Sequence, residues 1–132
     1  MKKFKAVVFD IDGTLTRHIS WVILTESLGG SVEYNDDIVK KWDTDEISKD
    51  IALENIKSNW IKGGKKHKND FIKILDSIPL REDALEAVNY LKSKGYYICA
   101  ITGSVDIYAE IVCKHLGIDA WYAITDLHWN NQ

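Results

Sequence analysis

Asp10 and Asp12 lie one residue apart in the run Lys5-Ala6-Val7-Val8-Phe9-Asp10-Ile11-Asp12-Gly13-Thr14-Leu15-Thr16, two carboxylates that close a short apolar segment. Successive apolar residues predict a strand buried on both faces, and the carboxyl ends of parallel α/β strands are where ligands bind. Alternation sends residues 10 and 12 to one side, with Gly13 marking the turn of the chain. A carboxylate that attacks phosphorus needs a divalent cation to offset its own charge and the phosphate's. A second carboxyl beside it can trade protons with the leaving oxygen. Gly13 lets the backbone approach a ligand, while the amides around it and the Thr14 hydroxyl can donate to phosphate oxygens. A strand that merely ends in an Asp-x-Asp-Gly turn uses the same residue types, so the pair alone leaves both readings open.

A second strand, Tyr96 to Ile101, ends in Thr102-Gly103-Ser104, after which Val105, Tyr108, Val112 and Leu116 recur at helical spacing. Ser104 is placed to cap that helix, Asp106 suits its first turn and Gly117 its stop. A hydroxyl and free amides at a helix start suit a phosphate, although a capped strand-to-helix turn needs no ligand. A third strand is expected over Ala120 to Thr125.

Between the first two strands, residues 17–78 make a connection of roughly 60 residues, far longer than a βα unit requires. Ile19, Val22, Ile23 and Leu28 predict a helix ending at Gly29-Gly30, followed by helical segments from Asp36 to Trp42, Glu46 to Trp60 and Asn69 to Ser77. Ile51, Leu53, Ile56 and Trp60 form the expected apolar face of the third segment. Trp21, Trp42 and Trp60 fit packing anchors better than a stacking platform for bases. The basic run Lys62 to Lys68 fits a solvated loop better than a collector of phosphorylated substrate. A last helix, opened by Arg81-Glu82-Asp83, turns Ala84, Leu85, Val88 and Leu91 inward and stops at Gly95.

The 132 residues are one domain's worth, and 45% apolar with 28% charged residues fits a soluble globular chain. A formal charge of -3 gives no reason to expect nucleic acid or an anionic membrane as partner. Cys99 and Cys113, without metal spacing, predict two buried reduced thiols. With no signal peptide after Met1-Lys2-Lys3 and no span long enough for a bilayer, a cytoplasmic protein is expected.

The full string from the apolar strand through Asp-Ile-Asp-Gly-Thr-Leu-Thr resembles the first motif of the haloacid dehalogenase (HAD) superfamily, and Ile101-Thr102-Gly103-Ser104 resembles the second. The insert, helix and Leu116-Gly117-Ile118-Asp119 are similar to the phosphoserine phosphatase-like branch. The resemblance implies an α/β, Rossmann-like parallel sheet core from residues 1–16 and 79–132. A helical C1-type cap then spans residues 17–78. It implies a Mg2+-dependent phosphomonoesterase acting on a small phosphorylated metabolite through an aspartyl-phosphate. Asp10 is then nucleophile and magnesium ligand, and Asp12 is general acid/base, offering magnesium its backbone carbonyl. Gly13, Thr14, Thr102, Gly103 and Ser104 hold the phosphoryl group. A HAD phosphotransferase is the near alternative, and a non-catalytic phosphate-binding or interaction module the distant one.

Three departures qualify that resemblance. Ile19 stands where serine phosphatases of the branch carry a substrate-binding Glu, and His18 nearby has no visible metal or triad partner. No Lys follows Lys114, whereas the family uses a third-motif Lys. No Gly-Asp acidic cluster follows the third strand, where Asp119 and Asp126 fit turn or cap residues. The expectation is a core lacking its C-terminal part, catalytically incomplete by itself, with an open sheet edge that self-associates.

Overall fold

The computed structural model describes residues 5–129. They divide into two units, one of residues up to Ser20 with Leu75–His128, the other Trp21–Ile74 with Trp129. Among the described residues no helix is long and apolar enough to cross a membrane.

The first unit is built on a parallel sheet. Apolar, partly β-branched runs form β1 (Ala6–Asp10), β2 (Tyr97–Val105) and β3 (Ala120–Thr125), in the order β1-β2-β3. Val8 pairs with Cys99 and Asp10 with Ile101, while Cys99 and Ile101 pair onward with Ala120 and Tyr122. The third strand begins and ends where the sequence puts it, and the second runs four residues further than Ile101. Helix α5 (Ala84–Ser93) precedes β2, and α6 (Asp106–Leu116) joins β2 to β3, ending on Gly117 in the left-handed region at φ 69°.

The winding explains where the core sits. Crossovers between parallel strands are right-handed almost without exception, so a sheet extended in one direction receives its helices on one face. Ile98, Ala100 and Thr102 face that layer and are buried, as are Ala84 and Val88 of α5 and most of α6. The opposite face is open. Val8 is 55% exposed, and β1 is an edge strand among the described residues. The expected burial of β1 on both faces is therefore corrected: the apolar run makes the strand, but no described element covers its far side. Cys99 lies on that open face, half-buried rather than buried, whereas Cys113 of α6 is fully buried; both thiols are free. Leu85, expected to face inward, is exposed.

The second unit is helical: α1 (Ser20–Ser27), α2 (Val32–Asp43), α3 (Lys49–Ile61) and α4 (Lys68–Asp76). Ser31 and Ser48 cap α2 and α3 by accepting the amides of Tyr34 and Ile51. Trp60 is fully buried, edge-on to Trp21 at 5.4 Å and Phe71 at 6.1 Å, and Phe71 meets Trp129 at 5.0 Å. Its indole N–H donates to Thr25 Oγ1 at 2.8 Å, as does Asn35 Nδ2 at 2.9 Å, and Asn59 Nδ2 donates to Asn35 Oδ1 at 2.8 Å. Gly30 is required by close approach, since a Cβ there would lie 2.9 Å from the Asn59 carbonyl. Ile51, expected on the apolar face of α3, is exposed, and Ala52 with Ile56 takes that place.

Candidate active site

β1 delivers Asp10 to the carboxyl edge of the sheet, in register with Ile101 and so beside the segment Thr102-Gly103-Ser104. Asp10 is exposed, and its Oδ1 accepts the Ile11 amide at 2.8 Å. Beyond it the chain folds into a tight turn in which the amides of Thr14, Leu15 and Thr16 all converge on the Ile11 carbonyl, at 3.1, 2.9 and 3.3 Å. Those three amides are consumed by the turn, which corrects the expectation that amides around Gly13 are generally available to a phosphate. Gly13 sits at φ +78°, and a Cβ there would meet nothing within 4 Å, so the requirement for glycine is conformational rather than one of space.

The turn is tied down behind. Thr16 Oγ1 donates to the Pro79 carbonyl at 2.7 Å, and the Arg81 amide donates to the Leu15 carbonyl at 2.8 Å. Arg17 binds Glu82 at 2.7 Å, an exposed hydrogen-bonded ion pair that holds the Glu82 carboxyl at about 2.

Asp12 is in a different environment from Asp10. Its Oδ2 accepts both the amide and the hydroxyl of Ser20, at 3.1 and 2.8 Å, while its Oδ1 is buried with no partner among the described residues. Burial raises the pKa of this carboxyl above the ordinary carboxylate value; the Ser20 bonds oppose that and the charge of Asp10 adds to it. Ser20 Oγ also lies 2.5 Å from Ser104 Oγ. An ionised carboxylate only accepts, so Ser20 donates to Asp12 and the shorter bond runs from the Ser104 hydroxyl to the Ser20 oxygen. The Ser104 amide donates to Thr102 Oγ1 at 3.0 Å, and Thr102, Ser104 and Ser20 are all buried.

The structure thus joins Asp12, Ser20, Ser104 and Thr102 in one chain of hydrogen bonds and sets Asp10 beside them. Thr14 stands apart, exposed in the turn. Ser104 does not cap α6: β2 continues to Val105, which is the N-cap without a side-chain bond, and the Ser104 hydroxyl is turned to Ser20 instead. The pairing of β2 with β3 slips between Thr102 and Val105, a bulge that releases Gly103 and Ser104 from the regular ladder. A Cβ built on Gly103 would meet nothing within 4 Å, so space is open above it. Two further residues complete the surroundings. Tyr108, on α6, is buried with its hydroxyl unpartnered among the described residues, and burial followed by the charge of Asp12 pushes its ionisation upward. Asp106 Oδ1 accepts the amides of Ile107 and Leu127 at 2.9 and 3.2 Å. Sequence reasoning missed Ser20 and took Tyr108 only as an apolar repeat; a hydroxyl opening a helix eight residues after an acid was the one available signal.

A model of the haloacid dehalogenase-like hydrolases matches residues 4–131. The chain belongs to this family. Solved relatives share the fold: a phosphoserine phosphatase in a phospho-aspartyl intermediate analogue form is 25% identical, with TM-score 0.74 over 98% of this chain. A substrate-bound phosphoserine phosphatase complex is 24% identical, with TM-score 0.74 over 99% of it. A HAD family hydrolase from Salmonella enterica serovar Typhi is 17% identical, with TM-score 0.76 over 97%. This HAD-family chain spans 60% of the length of each of the two phosphatases and 43% of the third protein. Among curated proteins none is similar enough to match it.

The HAD chain's donor set also bears on magnesium. Asp10 offers hard anionic oxygen from an exposed carboxylate and Asp12 the hard oxygen of its backbone carbonyl, while the Asp12 carboxyl keeps one oxygen buried and without a partner among the described residues. Magnesium commonly takes one or two protein carboxylates and keeps several waters, so the pair fits part of its shell. Among the described residues no group of three acidic, His or Cys side chains gathers to complete one.

Proposed function

We propose that the chain carries the nucleophile and the acid/base of a Mg2+-dependent phosphomonoesterase that works through an aspartyl-phosphate. The observation that carries this proposal is the contrast between two neighbouring carboxyls. Asp10 is open at the sheet edge, and Asp12 is half-buried, doubly hydrogen-bonded by Ser20 and made less acidic by burial.

Asp10 attacks phosphorus, forming an acyl-phosphate as the bond from phosphorus to the ester oxygen breaks, and Asp12 gives that oxygen its proton. Water then attacks the same phosphorus, Asp12 takes the water's proton, and the Asp10 carboxylate is restored with release of phosphate. Ser20 holds Asp12 in one orientation throughout. Thr102, Gly103, Ser104, Gly13 and Thr14 are the residues proposed to receive the phosphoryl oxygens, and Asp10 and Asp12 those proposed to hold magnesium. When bound, the ion supplies charge neutralisation between carboxylate and phosphate. The substrate is taken as a small phosphorylated metabolite and the location as cytoplasmic, supported by two free cysteines. Residues 17–78 are assigned to a cap and the remainder to the core.

Beryllofluoride, a mimic of an aspartyl-linked phosphoryl group, tests the assignment. A magnesium-dependent bound fluorine signal in the 19F spectrum is expected for the parent chain and its loss in Asp10→Asn; an unchanged signal in that variant overturns it. A silent phosphate-binding module is the second reading. Two facts favour it for these residues alone: no third metal ligand gathers among the described residues, and Lys114 is exposed and paired with Glu110 on α6.

A further inference from the structure

Two buried side-chain atoms of the first unit have no hydrogen-bond partner among the described residues, Oδ1 of Asp12 and the hydroxyl of Tyr108. One is an acceptor and the other carries a proton to donate. The remaining orphans, the indole N–H groups of Trp21 and Trp129, belong to the other unit. Buried polar groups are paired almost without exception, so an orphaned acceptor and an orphaned donor in one unit call for a common explanation. The charge of Asp12 reaches the Tyr108 hydroxyl, which puts the two in one neighbourhood. Tyr108 is only 1% exposed, so solvent does not satisfy it. Thr16, beside it, is already engaged: its Oγ1 donates to the Pro79 carbonyl and accepts the His18 amide.

We propose that Tyr108 is a positioning residue for Asp12, its hydroxyl holding Oδ1 through one buried water. The two atoms do not bond directly, and a water between an orphaned donor and an orphaned carboxylate oxygen satisfies both. That water accepts from the phenol and donates to the carboxylate. Ser20 already fixes Oδ2 with two bonds. With Oδ1 held from α6, the carboxyl is gripped at both oxygens and loses its rotation about the Cβ–Cγ bond. A general acid needs an oxygen kept within hydrogen-bond reach of the group it serves, and this grip provides it. Two residues four positions apart thus serve one carboxyl: Ser104 acts on Oδ2 through Ser20, and Tyr108 on Oδ1. The assignment rests on the acid/base role proposed for Asp12 and adds to it a residue that lies outside both sequence motifs.

A thermodynamic cycle at neutral pH tests it. Tyr108→Phe keeps the ring and removes the hydroxyl. Its folding equilibrium constant, from urea denaturation, is expected to fall about tenfold in the parent chain and under about threefold in an Asp12→Ala background. Because Phe retains the ring current, a shift of the Asp12 Cγ carbon resonance in Tyr108→Phe reports the lost hydroxyl rather than lost packing. That resonance decides the matter if Asp12→Ala does not fold. A long-lived water with a nuclear Overhauser contact to the Tyr108 ring is expected in the parent chain. An equal fall in both backgrounds, which packing or a bond to Thr16 produces, overturns the proposal, as does an unshifted Asp12 Cγ or the absence of that water. None of these readouts needs a phosphorylated Asp10, so failure here and failure of the aspartyl-phosphate reading are separate results.

Discussion

Ser20 gives both its amide and its hydroxyl to a single oxygen of Asp12, at 3.1 and 2.8 Å, from the first residue of α1. One residue thereby fixes the direction of the acid proposed to serve the leaving group. The same hydroxyl is bonded to Ser104, so the two sequence motifs are joined through a residue that belongs to neither.

Ser20→Ala removes a buried hydrogen bond to a charged group and leaves the Ser104 hydroxyl without that partner. A loss of about 2 kcal/mol is expected from urea denaturation at neutral pH. A change within the error of the method contradicts a bond that organises the site.

Asp12 gives a pH dependence of definite sign. Its folded pKa is raised, chiefly by burial, so the folded state binds more protons than the unfolded state from about pH 4 upward to the raised value. Stability from this group is fully present below the unfolded value and falls as pH rises through the window. Asp12→Asn keeps an oxygen for Ser20 and removes the buried charge. Its melting temperature at pH 7 should equal or exceed the parent's, with the difference shrinking toward pH 4. A variant that is destabilised at pH 7 and recovers in acid contradicts this.

In the helical unit, Thr25 Oγ1 accepts from both Trp60 and Asn35 and itself donates to the Trp21 carbonyl at 2.5 Å. Thr25→Val keeps the shape and orphans two buried donors, at a cost of about 3 kcal/mol. Chemical denaturation followed by tryptophan fluorescence measures it; a loss under about 1 kcal/mol shows that the donors find other partners.

The strands and most helices were legible because they rest on local signals. Ala120 to Thr125 is an aromatic and β-branched run between Ile118-Asp119 and Asp126, and Gly117 is the one residue there suited to a left-handed helix stop. The fate of Ser104 was not legible, since a hydroxyl before a helix can cap it or bond elsewhere. The choice was made by β2 extending to Val105 and by Ser20, 84 positions away. The open sheet face was hidden for a related reason. An apolar strand declares that it can be buried, but strand order and crossover hand decide which side receives helices. The amides of Thr14, Leu15 and Thr16 were misjudged because one carbonyl, that of Ile11, captures all three.

With these residues alone, hydrolysis of p-nitrophenyl phosphate in magnesium should stay below about 1 per second, the low end for enzymes. Phosphoryl transfer depends on charge stabilisation around the phosphate, and Lys114, the last lysine of the sequence, is engaged with Glu110 at 2.6 Å. Faster magnesium-dependent turnover contradicts this expectation.

Asp10 is expected to become covalently phosphorylated. Incubation with magnesium and a small phosphate donor such as acetyl phosphate, followed by borohydride reduction and peptide mapping, converts an aspartyl-phosphate into a homoserine at its own position. Slow modification at Asp10, with none in Asp10→Asn, is the predicted result. Modification at any other residue, or none at saturating donor, contradicts it.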